Sequence, residues 1–386
     1  MRSVSVIGAA VTKFGEHWDK SFRELIAEAG IKAVADSGVE GNKIEAIYGG
    51  CMASGRFIGQ EHIGALIADQ LGLNPIPSTR LEAACASGGV ALRTAYLSIA
   101  AGVYDIVAVG GIEKMTEVST EEASFALGGA GDEETELFHG ATFPSLYALL
   151  ARSHMKKFGT TEEQMAMCAV KNHKNATKNP YAQFQREITV DDVMNSGYVS
   201  TPLKLLDCSP ITDGAAALIL CETEKAKQIT HKAVELVGSG QASDSLALAG
   251  RKSLTELSAT KIAAEQAYKQ SGLNVKDIDF AEVHDCFTIA EILAIEDLGF
   301  FKKGEGGKAT EKGKTQLDGE IPINTSGGLK GKGHPVGATG VAQAVEVFWQ
   351  LNNEANQRQI KDAKVGLTHN VGGSGATAVV HIFKKA

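Results

Sequence analysis

Two stretches of this chain carry one pattern, and any fold it adopts must accommodate the duplication. Val4-Ser5-Val6-Ile7-Gly8 resembles Val234-Glu235-Leu236-Val237-Gly238. Ser37-Gly38 and Ile44-Glu45 match Ser271-Gly272 and Ile278-Asp279, and Ile44 and Ile278 stand 234 residues apart. Ser87-Gly88-Gly89 matches Ser326-Gly327-Gly328 at a separation of 239, whereas Asp213 to Leu220 matches Ser374 to His381 at only 161. Self-similarity of this kind marks one supersecondary unit used twice. The fall in separation means that the first copy holds about 100 extra residues before its last strand. That insert runs from about Thr116 to Leu206. The division is then 1–115 plus 207–229 for the first half, 116–206 for an inserted loop domain, and 230–386 for the second half.

Each copy alternates strand and helix, which calls for a mainly parallel sheet with helices packed on it. Two such units about a pseudo-two-fold give an α/β fold with layers of helix, sheet, helix, sheet, helix. The insert has helical patterning over Ser145 to Phe158 and Glu162 to Ala176, the second opening with Thr161 as N-cap. Lys302 to Lys314 (KKGEGGKATEKGK) reads as a solvated loop or hairpin. At 386 residues with 44% hydrophobic content, the chain can bury full cores. A formal charge of −8 argues against a nucleic-acid or anionic-membrane partner. No apolar run approaches the ~20 residues of a membrane span, and Met1-Arg2-Ser3 leads straight into a strand with no signal peptide. Six scattered cysteines without a C-x-x-C pair suit a reducing, cytoplasmic setting.

The chemistry centres on Leu81-Glu82-Ala83-Ala84-Cys85-Ala86-Ser87-Gly88-Gly89. A strand (Ile76 to Glu82) enters it. A helix leaves it, with Leu92, Ala95, Tyr96 and Ile99 on one face and Gly102 as its stop. Cys85 sits on a tight turn at a helix start, where unpaired N–H groups favour a thiolate and hold an oxyanion. A free Cys is more often a small buried hydrophobe; the partners reverse that reading. His284-Asp285-Cys286-Phe287 follows the strand Phe280 to Val283. Gly333-His334-Pro335 opens the helix Val341 to Leu351. His369-Asn370-Val371-Gly372-Gly373 ends another strand. Strand ends of a two-fold α/β unit converge on one crevice. Zinc on His284, Cys286 and Cys85 is disfavoured because no recognised ligand spacing is present, so no metal is expected. His17 and His369 carry no motif and read as structural. No dinucleotide or ATP fingerprint occurs.

The ACASGG turn, GHPVGATG, SPITDGAAA and the final VGGSG together resemble the thiolase superfamily over essentially the whole chain. H-D-C-F at 284–287 is similar to the sterol-carrier-protein type and to archaeal acetoacetyl-CoA thiolases, and the lack of an appended sterol-carrier domain favours the latter. The resemblance implies a thiolase fold, two βαβαβαββ units in five layers (α-β-α-β-α) with an inserted loop domain. It implies an acetyl-CoA C-acetyltransferase with no permanently bound cofactor, acting on coenzyme A thioesters. Cys85 would be the acylated nucleophile, kept as thiolate by His334. Cys286 would be the acid/base, since Asn370 stands where many thiolases have the cysteine of a C-x-G motif. The N–H groups of Gly372 and Cys85 would form one oxyanion hole; His284 and His334 would hold the other thioester oxygen. Ser209, His139 and Lys332 would contact coenzyme A, against plainer readings as a turn serine, a solvated histidine and a solvated lysine. The resemblance further implies a homodimer or homotetramer, and assembly with 3-hydroxy-3-methylglutaryl-CoA synthase through a small acyl-CoA-binding bridging protein in isoprenoid synthesis. The rivals are a ketoacyl synthase fed by an acyl carrier protein, a 3-hydroxy-3-methylglutaryl-CoA synthase, which needs a glutamate where Cys286 stands, and a non-catalytic thiolase-like lipid-binding protein.

Overall fold

The computed structural model describes residues 2–385. Its strands are β1 (Val4–Val11), β2 (Ala46–Gly50), β3 (Ser78–Leu81), β4 (Ile106–Glu113), β5 (Tyr198–Ser200), β6 (Leu203–Lys204), β7 (Gly214–Glu222), β8 (Val234–Ser243), β9 (Phe280–Glu282), β10 (Val365–Gly372) and β11 (Thr377–Lys385). Nine of them join in the order β3-β2-β4-β7-β1-β8-β11-β10-β9. The order β2-β4-β7-β1 in the first half repeats, mirrored, as β8-β11-β10-β9 in the second. The counterpart of β3 survives only as a parallel bridge between Ala281 and Ile323. The halves meet at a short antiparallel seam, Ser5 opposite Glu235 and Val6 opposite Val234.

The sheet is mixed rather than mainly parallel. β2 runs parallel to β3 and β4, but β4–β7, β7–β1, β10–β11 and β11–β8 are antiparallel. The reason is connection length. Only Gly373 to Ala376 link β10 to β11, and a link that short can only make a hairpin. In the first half the same hairpin, β4 to β7, has been opened by the insert.

The five layers follow from where apolar faces point. The helix Ser87–Ala100 and the helix Thr339–Leu351 lie between the half-sheets, burying Leu92, Ile99, Val341 and Phe348 against Leu218 of one and Leu236 of the other. Each such side chain contributes roughly 1.5–3 kcal/mol. The helix Phe22–Ser37 covers the first half-sheet outside through Leu25, Ile26 and Ala29, and Ser258–Ser271 covers the second through Ala259, Ala263 and Ala267. The repeated Ser-Gly pairs are the C-caps of these two helices, with Gly38 at φ +71° and Gly272 at φ +70°, a conformation that glycine adopts without penalty.

Between β4 and β7 stand the helices Thr120–Gly128, Phe143–Phe158 and Glu162–Ala176, with the β5–β6 ribbon. The last of these helices opens with a Thr161/Gln164 capping box. The stretch 302–314 is not a solvated loop. Gly306–Glu311 form a helical turn with Gly306, Gly307, Ala309 and Thr310 buried. Its glycines let it approach closely, since a Cβ on Gly307 would lie 2.6 Å from Gln164 Oε1. No helix among the described residues is long and apolar enough to cross a membrane.

Candidate active site

The Cys85 turn is held in an unusual backbone shape. Ala84 takes φ +51°, a left-handed value that costs a residue bearing a Cβ about 1 kcal/mol or more. The Ser87 hydroxyl accepts from the Ala83 N–H (3.0 Å) and donates to the Ala84 carbonyl (2.6 Å), closing the turn from inside. The helix starts at Ser87, and its N-cap Ala86 has no side chain to satisfy the first N–H groups. The segment bearing His334 docks backbone to backbone on this helix start: a Cβ on Gly88 would lie 2.7 Å from the Gly337 carbonyl oxygen. Glu113, buried at the end of β4, accepts from Met52 N–H (2.8 Å) and Gly337 N–H (3.1 Å), fixing that segment from below.

The Cys85 sulfur and a ring nitrogen of each of His284 and His334 lie within 4.8 Å of one another. The two imidazoles stand edge to face, centroids 5.1 Å apart. Hydrogen bonds assign the His334 tautomer. Its Nδ1 is 2.7 Å from the Thr339 hydroxyl, which itself donates to the Pro335 carbonyl at 3.0 Å. The hydroxyl must then accept, so Nδ1 carries the proton and Nε2 offers a lone pair. His284 differs: its Nδ1 faces the Asn370 side-chain amide at 3.2 Å, and its Nε2 is buried without a partner. A buried polar atom left without a partner costs roughly 1–3 kcal/mol, so this nitrogen is free to bond a ligand.

Burial pushes the Cys85 thiol up to about 12, against hydrogen bonds from the Gly373 and Cys85 N–H groups that pull it down. Burial, then the neighbouring Lys332 ammonium, pushes His334 down to about 3. Burial, then His334 and His369, drives His284 well below the usual imidazole range. Desolvation thus works against both charges of a Cys85 thiolate–His334 imidazolium pair and holds each group toward its neutral form.

Cys85, Cys286, His334, Tyr147, Ser209 and Gly373 all face one cavity of about 290 Å³. Both thiols thus open onto the same space. Burial raises the Cys286 thiol well above its ordinary value, and the Tyr147 hydroxyl beside it opposes that. Tyr147 also donates to the Gly373 carbonyl at 3.0 Å and stacks on Phe287, centroids 4.6 Å apart. The Ser209 N–H donates to the Cys286 carbonyl at 2.9 Å, tying the chain just after the insert to the H-D-C-F segment.

Three expected positions move. Gly373, one residue after Gly372, lines the cavity, and its backbone N–H, with that of Cys85, pulls the Cys85 thiol down. Lys332 is neither solvated nor on the cavity: it is buried, its ammonium 3.9 Å from the Glu282 carboxylate. His139 is exposed on the turn Leu137–His139 and does not line the cavity. Tyr147 and Cys208, which also lines the cavity, went unnoticed in the sequence. Neither lies in a motif, and only the packing of the insert brings them in. The group close enough to hold a cation among the described residues is Cys85, His284 and His334, without Cys286.

The chain is similar to known proteins along nearly its whole length. The family model described as "Thiolase, N-terminal domain" matches residues 4–224, and "Thiolase C-terminal domain-like" matches 240–385. The chain is 56% identical to the acetyl-CoA acetyltransferase of Methanothermobacter thermautotrophicus over 385 residues, covering 100% of each. It is 36% identical to sterol carrier protein 2 of Bos taurus, covering 99% of this chain and 72% of that one. A solved structure described as an Ltp2-ChsH2(DUF35) aldolase superposes with TM-score 0.86 at 26% identity, covering 99% of this chain and 98% of that one.

Proposed function

The chain belongs to the thiolase family, and on that premise we propose that it is an acetyl-CoA C-acetyltransferase, joining two acetyl-CoA into acetoacetyl-CoA and free coenzyme A, and reversing the reaction. The observation that carries this reading is that two thiols and a lone-pair imidazole open onto one cavity.

In the first half-reaction His334 Nε2 takes the Cys85 proton as the sulfur attacks the thioester carbonyl. The tetrahedral oxyanion is held by the N–H groups of Cys85 and Gly373. Coenzyme A leaves as thiolate and takes the Cys286 proton. The enzyme now carries a Cys85 acetyl thioester, a Cys286 thiolate and a His334 imidazolium. In the second half the Cys286 thiolate removes a methyl proton from another acetyl-CoA. The resulting enolate oxygen is held by the N–H groups of His284 and His334, each such donor worth about 3 kcal/mol. The enolate carbon attacks the acetyl thioester, and Cys85 leaves and recovers its proton from His334. Every group ends as it began. The bias toward neutral forms suits this cycle, since the charges appear only while substrate is present to meet them.

Coenzyme A thioesters are substrate and product, with no resident cofactor. The pantetheine arm would pass Ser209, and the insert 116–206 would serve as the binding loop domain. Condensation is uphill, so a downstream synthase that removes acetoacetyl-CoA is a sensible partner. The reading extends to a cytoplasmic homo-oligomer working with 3-hydroxy-3-methylglutaryl-CoA synthase and a small bridging protein in the mevalonate route. The solved structure described as an Ltp2-ChsH2(DUF35) aldolase is a precedent for a chain of similar fold described together with a DUF35 protein. Mass spectrometry of protein treated with acetyl-CoA tests the core of the reading. One acetyl group on the Cys85 peptide is expected, and labelling only elsewhere would overturn it.

A further inference from the structure

In the sequence Asn370 stands out only for lacking a thiol. Its surroundings give it another task. The side-chain Oδ1 accepts from the Gly89 N–H at 3.2 Å. The side-chain Nδ2 donates to the Cys85 carbonyl at 3.0 Å and lies 3.2 Å from His284 Nδ1. The orientation of this amide is not free. Turned over, its NH2 would face the Gly89 N–H, donor against donor, and its oxygen would face the Cys85 carbonyl, acceptor against acceptor. The Gly89 N–H is also one of those that Ala86 cannot cap, so Asn370 supplies from another strand what the local sequence omits. With Nδ2 fixed as donor, His284 Nδ1 must accept. The ring proton then sits on Nε2, the nitrogen left without a protein partner.

We propose that Asn370 is a positioning residue that locks His284 in the Nε2–H tautomer, making it a hydrogen-bond donor to the substrate oxygen and unfit to ligate a metal. The second consequence matters because Cys85, His284 and His334 lie within 4.8 Å of one another, close enough for a soft divalent cation to collapse them into a site. A metal held through His284 Nε2 would need that nitrogen bare and the proton on Nδ1, and the amide donating to Nδ1 denies it. One residue thus sets the donor and keeps the nucleophile from being trapped. The statement about substrate rests on the thiolase reading above; the tautomer itself does not.

The direct test is 15N NMR of the full-length protein with labelled histidines, assigning His284 by the signal lost in His284→Gln. A protonated Nε2 and a bare Nδ1 are expected; a protonated Nδ1 would overturn the proposal whatever the enzyme catalyses. Asn370→Asp provides the second arm, because a carboxylate accepts from Nδ1–H and reverses the tautomer, as carboxylates do behind metal-bound histidines. Acetylation of Cys85 should fall less than tenfold in that variant, while the enolate-forming half-reaction falls 100- to 1,000-fold. Zinc should bind it at least tenfold more tightly than the parent, read by competition with a chromogenic chelator. Equal losses in both half-reactions with unchanged zinc affinity would reduce Asn370 to a structural cap and sink the idea. Tautomer and catalysis are read separately, so failure of the thiolase chemistry would leave the NMR result standing, and the reverse.

Discussion

Burial pushes the Cys85 thiol up and the His334 imidazole down, and that has a measurable consequence. With the thiol pushed up to about 12, thiolate is scarce at neutral pH and its fraction rises with pH. Alkylation of Cys85 by iodoacetamide should therefore accelerate about tenfold per pH unit from 7 to 9. A flat rate between pH 6 and 8 would mean a preformed thiolate–imidazolium pair. Tyr147 offers a second check. Tyr147→Phe removes the hydroxyl beside Cys286 and its bond to Gly373. Condensation should slow about tenfold, the worth of roughly one hydrogen bond. Acetylation of Cys85 should be nearly unchanged; a comparable loss there would place the hydroxyl's effect at Gly373 instead. Cys85 and His334 were legible because small residues and G-H-P surround them locally. Asn370 and Tyr147 were not, because their partners lie 285 and 226 residues away along the chain.

At the scale of elements, what could be read was what local sequence decides. Thr161 with Gln164 opens the helix Glu162–Ala176 at the residue the capping rule indicates. The Ser-Gly pairs, matched in the sequence only as repeated positions, are the C-caps of their helices. The segment 302–314 misled because its glycines and charges look solvated, whereas they fit against Gln164 and the buried Glu296 carboxylate, which accepts the Gly306 N–H at 2.8 Å. Charge in this protein is often interior. Arg358 forks onto Glu346 of the helix Thr339–Leu351 with three contacts of 2.9 to 3.0 Å, both side chains almost wholly buried. Arg358→Met leaves that carboxylate unpaired and should cost about 3–5 kcal/mol in urea unfolding, with Glu346→Gln added to it restoring part of the loss. A cost below about 1 kcal/mol would show that water reaches the pair.

For the molecule as a whole, the repeat foretold the layers and the two-fold, since each copy buries its apolar face only against the other. It did not foretell strand direction. Alternation of strand and helix suggested parallel pairing, and the four-residue link before β11 overruled it. The middle helix layer takes one helix from each copy, and its core draws on both half-sheets. Heat or urea should therefore unfold residues 1–229 and 230–386 together, with near- and far-ultraviolet circular dichroism coinciding. Two separated transitions would mean that the halves stand alone. The central claim is that Cys85 carries the acyl group while Cys286 moves the proton in the same cavity. Its most direct test is single-turnover chemistry of Cys286→Ala with acetyl-CoA. The account predicts a trapped acetyl group on Cys85 and no acetoacetyl-CoA; acetoacetyl-CoA formed at the parent rate would contradict it.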